Sequence, residues 1–266
     1  MFGIEENKNI EKSGISKVFT PHLPVQIQKL LFGRTNVVKQ IINQLNTPGA
    51  FPILFGERGV GKTSTAYIVL MLMQLTSQCN KKKSHYSMKR CLSKETLSPI
   101  FKKPLKECGI DVDLIELSKS VESQGNASIG LMVAKANVSS KRTQTEKHAH
   151  NHMAISPSLI AELICEHFES GLLIIDETDA IEDEKVKFHL AEIVKLLSDE
   201  NSSFKIMLVG VAELSEELTA GHPSIGRCAV ETKLDRIPSD EIQKIIIVGA
   251  ARVKPTMDFD RDVVKK

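Results

Sequence analysis

Short apolar runs alternate with stretches of helical periodicity along most of this chain. The apolar runs predict strands over residues 51–55, 112–117, 172–175, 205–209 and 230–234. Apolar positions three and four residues apart predict helices over residues 37–45, 63–75, 156–168, 186–197, 212–218 and 239–251. Strands that alternate with helices indicate an α/β fold, here a three-layer αβα sandwich around a five-stranded, mainly parallel sheet. In such a fold the functional residues gather at the carboxyl ends of the strands.

The middle of the chain interrupts this alternation. Between residues 81 and 106 there are nine Lys or Arg and one acidic residue, with little clear periodicity. We interpret residues 79–153 as an irregular, basic insertion in a domain that spans residues 21–236, and residues 1–20 as a flexible arm. The basic segment has the charge to bind phosphate backbones, but it lacks the stacking aromatics of single-strand binders. A solvated insertion is therefore favoured.

Residues 56–63 read Gly-Glu-Arg-Gly-Val-Gly-Lys-Thr, two glycines separated by four residues and followed by Lys and a hydroxyl residue. This pattern, between a predicted strand and a predicted helix, is typical of a phosphate-binding loop. The glycines allow backbone N–H groups to surround a polyphosphate, and the helix N-terminus adds the positive end of its dipole. Lys62 would reach the β- and γ-phosphates, and the Thr63 hydroxyl would hold Mg²⁺. The alternative is a chance glycine turn before a core helix.

Two carboxylates, Asp176 and Glu177, follow directly on the predicted strand over residues 172–175. A triphosphatase needs a first carboxylate that holds Mg²⁺ and a second that polarises the attacking water. The alternative is a solvated turn at the end of a strand, which often carries acidic residues. Asp179 lies nearby, and we expect it to cap a helix rather than to support the metal.

Composition places the chain among ordinary globular proteins. Of its 266 residues, 41% are hydrophobic and 26% charged, and the net charge of +2 argues neither for nor against a nucleic-acid partner. No apolar run reaches the length of a membrane span, and the first 17 residues lack a signal-peptide core. Five cysteines without compact spacing favour a reduced, cytoplasmic protein.

Possible metal ligands occur in two places. His148, His150 and His152 alternate in a polar stretch without acidic or thiol companions, so a solvated loop is favoured over a metal site. A second set could be assembled from Cys79, His85, Cys91 and Cys108. Its spacings match no compact pattern of paired zinc ligands, and it is disfavoured further.

The loop, the Asp176–Glu177 pair and the Gly33–Arg34 element ahead of the first strand together resemble the AAA+ ATPases. The placement of Phe32-Gly33-Arg34 is similar to the initiator clade, which includes origin-recognition and transposition-helper ATPases. Bacterial initiator-like ATP-binding proteins are similar in further motifs, at residues 195–199, 209–212 and 222–227. The resemblance covers roughly residues 18–60 and 157–250.

That resemblance implies ATP and Mg²⁺ as ligands, with self-assembly or a partner protein and indirect, DNA-associated work. The implied nucleotide-binding residues are Gly33, Arg34, Gly56, Glu57, Arg58, Gly59, Val60, Gly61, Lys62, Thr63 and Ser64, with Gly33 and Arg34 near the adenine. Thr63 and Asp176 would hold the metal. Lys62 and Glu177 would act in hydrolysis, and Arg227 would be an arginine finger that reaches a neighbouring subunit's site. A surface arginine is the alternative for Arg227. The resemblance also suggests that Arg236 faces the nucleotide.

Two departures from the family pattern bear on activity. The strand over residues 205–209 should be followed by a polar residue that senses the γ-phosphate, but Gly210, Val211 and Ala212 follow it. Residues 237–266 leave space for a partial helical lid only. We therefore expect weak hydrolysis. The alternative function is an ATP-dependent switch or scaffold with negligible hydrolysis that recruits a partner.

Overall fold

The structure, a computed structural model, describes residues 33–77, 84–107, 156–211 and 223–253. The strands are β1 (Phe51–Phe55), β2 (Ser84–Arg90), β3 (Ser170–Asp176), β4 (Phe204–Gly210) and β5 (Ala229–Lys233). The helices are α1 (Thr35–Asn46), α2 (Lys62–Ser77), α3 (Leu97–Glu107), α4 (Pro157–His167), α5 (Glu184–Asp199) and α6 (Ser239–Arg252). Short 3₁₀ helices cover Thr178–Ala180 and Pro223–Arg227.

The five strands form one sheet in the order β2-β3-β4-β1-β5, and every neighbouring pair is parallel. The expected α/β fold with a five-stranded parallel sheet is therefore confirmed. Because all strands run the same way, the segments that follow β1, β3 and β4 leave the sheet at the same edge. The residues predicted to bind phosphate and metal follow β1 and end β3, so the topology brings them together.

Hydrophobic side chains on the two faces of the sheet form two separate layers. Leu173 and Ile175 of β3 face a cluster that includes the buried side chains of α3, α4 and α5. Leu172 and Ile174, on the opposite face of the same strand, pack with α1 and α2. A strand that is apolar on both faces has to be covered on both, which is why β1, β3 and β4 are central strands.

Part of the segment interpreted as an irregular insertion is regular, and that interpretation is wrong for residues 84–90 and 97–107. Residues 84–90 form the edge strand β2, which pairs with β3 along its whole length. Residues 97–107 form α3, which packs its apolar side chains into the core despite an internal proline, Pro104. The strand and helix predicted over residues 112–117 and 212–218 lie outside the described residues.

Local signals set the ends of two helices. The Ser156 side chain accepts a hydrogen bond from the Leu159 amide at 3.3 Å and caps α4. The cap of α5 is Asp183, whose carboxylate accepts from the Lys185 amide at 2.9 Å. Asp179 therefore does not cap α5. Among the described helices, none combines the length and apolar character needed to cross a membrane.

Candidate functional site

The loop over residues 56–61 joins β1 to α2 in a conformation that only glycine adopts readily. Gly59 and Gly61 have φ angles of +83° and +93°, values that are strained for residues with a side chain. At Gly56 a Cβ atom would collide with the backbone carbonyl of Leu234. α2 then starts at Lys62, so the loop ends at a helix N-terminus, where backbone amides and the dipole favour an anion.

Lys62 reaches back across this loop. Its Nζ donates hydrogen bonds to the carbonyls of Gly56 at 2.7 Å and Glu57 at 2.8 Å. Burial lowers the pKa of the Lys62 ammonium group, and the nearby charges of Asp179 and Asp176 oppose that shift. The ammonium group is thus held inside the loop by hydrogen bonds to neutral carbonyls. A phosphate oxygen, because it is charged, would be a stronger acceptor and would replace them.

Thr63 and Asp176, which are 113 residues apart, meet at the carboxyl end of β3. The Thr63 hydroxyl donates to Oδ2 of Asp176 at 2.9 Å, and the aspartate is buried at 2% exposure. Burial raises the pKa of Asp176, while the hydrogen bond from Thr63 opposes the shift. A buried carboxylate whose charge is only partly compensated favours the binding of a cation.

Glu177, the next residue, lies in a different environment. Its backbone is left-handed, with φ at +55°, and its side chain is 40% exposed. Arg90, the last residue of β2, donates from Nε to Oε2 at 2.7 Å and from Nη2 to Oε1. This pairing lowers the pKa of Glu177. Both carboxylate oxygens are therefore engaged by one guanidinium group.

Asp179 is neither a helix cap within the described residues nor a partner of the carboxylate pair. Its Oδ1 accepts from the backbone amide of Val211 at 3.2 Å, just beyond the end of β4. β4 ends at Gly210 and Val211 follows it, so neither position carries the expected polar side chain, and Ala212 lies outside the described residues. Asp179 instead fixes the backbone there.

The Gly33–Arg34 element lies beside the loop, but the Arg34 side chain points behind it. Arg34 is 4% exposed, and its Nη2 donates to the Val60 carbonyl at 2.8 Å. Burial lowers the pKa of Arg34, and the charge of Asp235 opposes this. Arg236, in the segment between β5 and α6, contacts the loop from another side, because its Nε donates to Oε2 of Glu57 at 2.8 Å.

The remaining predicted residues differ in where they lie. Arg58 is exposed on the loop, and Ser64 is half-buried in the first turn of α2. Arg227 is exposed at the end of the 3₁₀ helix before β5. Exposure is expected both for an intersubunit arginine finger and for a solvated surface arginine, so the role of Arg227 stays a prediction.

The disfavoured metal sets gain no support. Within the described ranges there is no group of three or more His, Cys, Asp or Glu side chains able to hold a metal ion. His85 is buried beside Phe168 and lies 2.6 Å from the Ser87 hydroxyl. Cys91 is buried as a free cysteine. Cys79, Cys108 and the three histidines over residues 148–152 lie outside the described residues.

Arg90 contacts the candidate site and is not among the residues that the sequence interpretation named. Its contact with Glu177 depends on β2 pairing with β3 so that Arg90 lies opposite Asp176. The helical spacing of Leu97, Ile100, Phe101 and Leu105 was the available signal that this region is folded.

Together these features define a P-loop nucleotide-binding protein of the α/β class. A family model described as an AAA domain matches residues 45–218, well over half of the chain. The chain therefore belongs to the AAA domain family. No curated protein matches the sequence.

Solved structures with the same fold include three archaeal proteins. The ORC1 protein of Aeropyrum pernix, solved in complex with DNA, has 13% identity and a TM-score of 0.58, over 97% of this chain and 59% of that one. ORC2 of the same organism, in its ADP form, has 13% identity and a TM-score of 0.58, over 94% and 60%. A Walker-type ATPase of Pyrococcus abyssi has 15% identity and a TM-score of 0.54, over 92% and 64%. This chain thus spans 59–64% of the length of these structures, and at such identities the likeness concerns the fold.

Proposed function

We propose that the chain is a Mg²⁺-dependent ATPase whose turnover is weak until assembly or a partner activates it. The hydrogen bond between the Thr63 hydroxyl and Asp176 carries this proposal. It joins the residue that follows the phosphate loop's lysine to the carboxylate at the end of β3. A hydroxyl and a carboxylate in contact, beside a helix N-terminus, match the needs of a metal-bound polyphosphate.

The donor set suits Mg²⁺ in its chemistry. Magnesium prefers hard oxygen ligands and retains several waters, so one hydroxyl and one carboxylate beside substrate phosphates suffice. When bound, the metal would neutralise charge on the β- and γ-phosphates. Thr63 and Asp176 would hold it. The positive charge of the metal would then compensate the negative charge of Asp176, which is buried at 2% exposure.

Around the phosphates, this chain's own residues have separate tasks. The N–H groups of the loop and of the first turn of α2 would bind oxygens, and Lys62 would move from the Gly56 and Glu57 carbonyls onto the β- and γ-phosphates. Glu177 would accept a proton from the attacking water. Gly33 would adjoin the adenine.

The pairing of Glu177 with Arg90 supports weak basal hydrolysis. A general base needs a carboxylate oxygen within hydrogen-bond reach of the water, and both oxygens of Glu177 are held by Arg90. The pairing occupies one lone pair of each oxygen and lowers the pKa of Glu177, so Glu177 would be a stronger base once Arg90 releases an oxygen. The side chains of Arg90 and Glu177 are 68% and 40% exposed, so the cost of separating them is small and water can enter.

Assembly would supply what one chain lacks. Arg227, exposed before β5, would reach the γ-phosphate at a neighbouring copy or partner, where such a residue raises the rate by about 10³–10⁵. The ORC1 relative was solved in complex with DNA, and a DNA-associated role, such as transposition, replication or phage defence, is proposed here on that likeness alone. DNA contact would be indirect, through the partner.

The proposal is tested by steady-state ATP hydrolysis over a range of protein concentrations, for the wild type, Glu177→Gln and Arg227→Ala. We expect specific activity to rise with concentration. Glu177→Gln should lose hydrolysis while still binding ATP, and Arg227→Ala should lose the concentration-dependent part only. Mixing these two variants should restore part of the activity if the finger acts between subunits, because some Arg227→Ala sites then receive an intact Arg227.

Two results would contradict the proposal. If the wild type binds MgATP but hydrolyses it no faster than Glu177→Gln at any concentration, the chain alone is a nucleotide-dependent switch rather than an ATPase. If it fails to bind MgATP, the nucleotide site itself is refuted. Isothermal titration calorimetry with MgATP separates these outcomes.

A further inference from the structure

Arg34 is a buried cation directly behind the phosphate loop. The residue is 4% exposed, and its guanidinium group donates to the carbonyl of Val60, which is itself buried. Burying a guanidinium group is costly unless the contacts it makes compensate for lost hydration. The contact that Arg34 makes is to the backbone of the loop, which indicates that its guanidinium group helps to set the conformation of the loop.

The Arg34 contact fixes the orientation of one peptide group. In a planar trans peptide the carbonyl and the following N–H point in opposite directions. Because the Val60 carbonyl is directed at Arg34, the N–H of Gly61 is directed away from Arg34. Gly61 is the last residue before α2, on the side where the loop would surround phosphate. A charged donor on the carbonyl also polarises the peptide and strengthens its N–H as a donor.

The loop itself offers little resistance to rotation of this peptide group. Gly59 and Gly61, on either side of Val60, both have φ angles beyond +80°, and no atom lies within 4 Å of the Cβ position of either. Glycine reaches both signs of φ with similar ease. Without an external anchor the Val60–Gly61 peptide would therefore sample the flipped orientation, in which its carbonyl would face the phosphate.

Arg34 is anchored well enough to serve this purpose. Its backbone carbonyl accepts from the Val38 amide at 2.9 Å in the first turn of α1. The preceding Gly33 has φ at +67° and packs against Glu241 of α6, where an added Cβ would lie 3.2 Å from the nearest side-chain atom. The guanidinium group thus extends from a fixed backbone to the loop.

We propose that Arg34 is a positioning residue, which holds the Val60–Gly61 peptide so that the Gly61 N–H faces the β-phosphate of the nucleotide. This role replaces the expectation that the Arg34 side chain lies near the adenine. The assignment rests on the proposed function for the identity of the ligand, but the orientation of the peptide can be tested without any nucleotide.

The test compares Arg34→Met and Arg34→Lys with Lys205→Met. Lys205 is a matched control because it is also a buried cation, at 6% exposure, that donates to a backbone carbonyl, that of Thr47 at 3.1 Å. Thr47 caps the carboxyl end of α1, the helix that Arg34 begins. Both methionine variants therefore remove a buried cation from an end of the same helix, and only one of them faces the phosphate loop.

The first measurement is the affinity for MgADP and MgATP by isothermal titration calorimetry, with thermal unfolding of each variant alongside. We expect Arg34→Met to weaken both nucleotides about tenfold or more, Arg34→Lys to recover part of the loss, and Lys205→Met to bind like the wild type despite a lower Tm. If Lys205→Met loses as much affinity as Arg34→Met, or Arg34→Met loses none, the proposal is overturned.

The second measurement needs no ligand. Labelling with ¹³C-carbonyl valine and ¹⁵N glycine selects the Val–Gly pairs, of which the sequence has three, at residues 60–61, 209–210 and 248–249. We expect the Gly61 amide signal of Arg34→Met to shift and to split or broaden, with the other two signals unchanged, and Lys205→Met to retain all three. An unchanged Gly61 signal in Arg34→Met would overturn the proposal, whatever the result of the nucleotide titrations. Failure of every variant and of the wild type to bind nucleotide would instead contradict the proposed function.

Discussion

At the carboxyl end of the sheet, charged side chains bind carbonyl, hydroxyl and guanidinium groups, whereas at the amino end polar side chains are enclosed by aromatic rings and backbone. At the carboxyl end, Lys62 donates to a loop carbonyl, Asp176 accepts from a hydroxyl and Glu177 accepts from a guanidinium group. At the amino end, the Lys205 ammonium group lies 4.9 Å from the centre of the Phe51 ring, and His85 lies beside the rings of Phe168 and Phe204.

The difference separates an end of the sheet where polar side chains are enclosed by protein from an end where they are accessible to a ligand. Lys205 is surrounded by protein, and burial lowers the pKa of its ammonium group, so its hydrogen bond is part of the fold. Lys62, Thr63 and Glu177 are half-buried or exposed, and each has a hydrogen bond that a phosphate, a metal or a water could replace. Substitutions at the carboxyl end should change binding or turnover, and those at the amino end should change stability.

The largest effect is expected for Lys62→Ala. Charge-assisted hydrogen bonds to phosphate contribute about 1.5–3 kcal/mol each, so MgATP affinity should fall about 100-fold while Tm changes little. Isothermal titration calorimetry and thermal unfolding measure the two quantities. Lys205→Met is the control, because it should lower Tm and leave the MgATP affinity unchanged. A loss of affinity in Lys205→Met as large as that in Lys62→Ala would remove the distinction between the two ends.

Gly171→Ala should act on stability alone. Gly171 is the second residue of β3, and a Cβ there would lie 2.5 Å from the His85 carbonyl and 2.6 Å from the Phe204 ring. Overpacking of this kind costs about 1–3 kcal/mol, measurable by urea unfolding. MgATP affinity of the folded variant should be unchanged. At Gly226 an added Cβ meets no atom within 4 Å, so Gly226→Ala is the control, and equal destabilisation by both would contradict the packing argument.

Asp176→Asn should stabilise the nucleotide-free protein while preventing Mg²⁺-dependent binding. Burial raises the pKa of Asp176, so ionising it in the folded state is disfavoured. The contribution of protonated Asp176 to the free energy of unfolding is fully present below the pKa that this residue has in the unfolded chain. It is lost as pH rises through the higher pKa that Asp176 has in the folded protein. The variant should therefore unfold about 2–4 °C higher at pH 7, and the difference should shrink as pH falls towards 4.

Asp183→Asn is the control for this substitution, because asparagine caps a helix about as well as aspartate and Asp183 is exposed. Its Tm should match the wild type at every pH. A lower Tm for Asp176→Asn at pH 7 would mean that the buried carboxylate is already well compensated, and that the structure of the site does not depend on a cation.

The central strands were predictable because their signal is local. Residues 51–55 are apolar throughout and are β1 without any change of bounds, and the runs over 172–175 and 205–209 lie inside β3 and β4. The motif over residues 56–63 and the pair Asp176–Glu177 were readable for the same reason. Their residue types follow directly on strands, and parallel topology then brings them to one edge.

The edge strand was not predictable in the same way. β2 reads Ser-His-Tyr-Ser-Met-Lys-Arg, and both of its buried residues, His85 and Ser87, are polar. A strand that pairs on one side and buries polar groups gives no apolar run, and surrounding lysines concealed the alternation. Contacts between distant segments, such as Arg34 with Val60 and Arg90 with Glu177, depend on the assembled fold rather than on any spacing in the sequence.

Arg90→Met sharpens the comparison by changing both the availability and the pKa of Glu177. With its carboxylate released, basal ATP hydrolysis should rise about threefold, since an exposed pair is worth less than about 1 kcal/mol. Arg90 also lowers the pKa of Glu177, so the acidic limb of the pH–rate profile should move to higher pH in the variant. Lys89→Met is the control, because Lys89 pairs with Glu95 at 3.1 Å. A fall in hydrolysis with an unmoved acidic limb would mean that Arg90 supports the reaction rather than restraining its base.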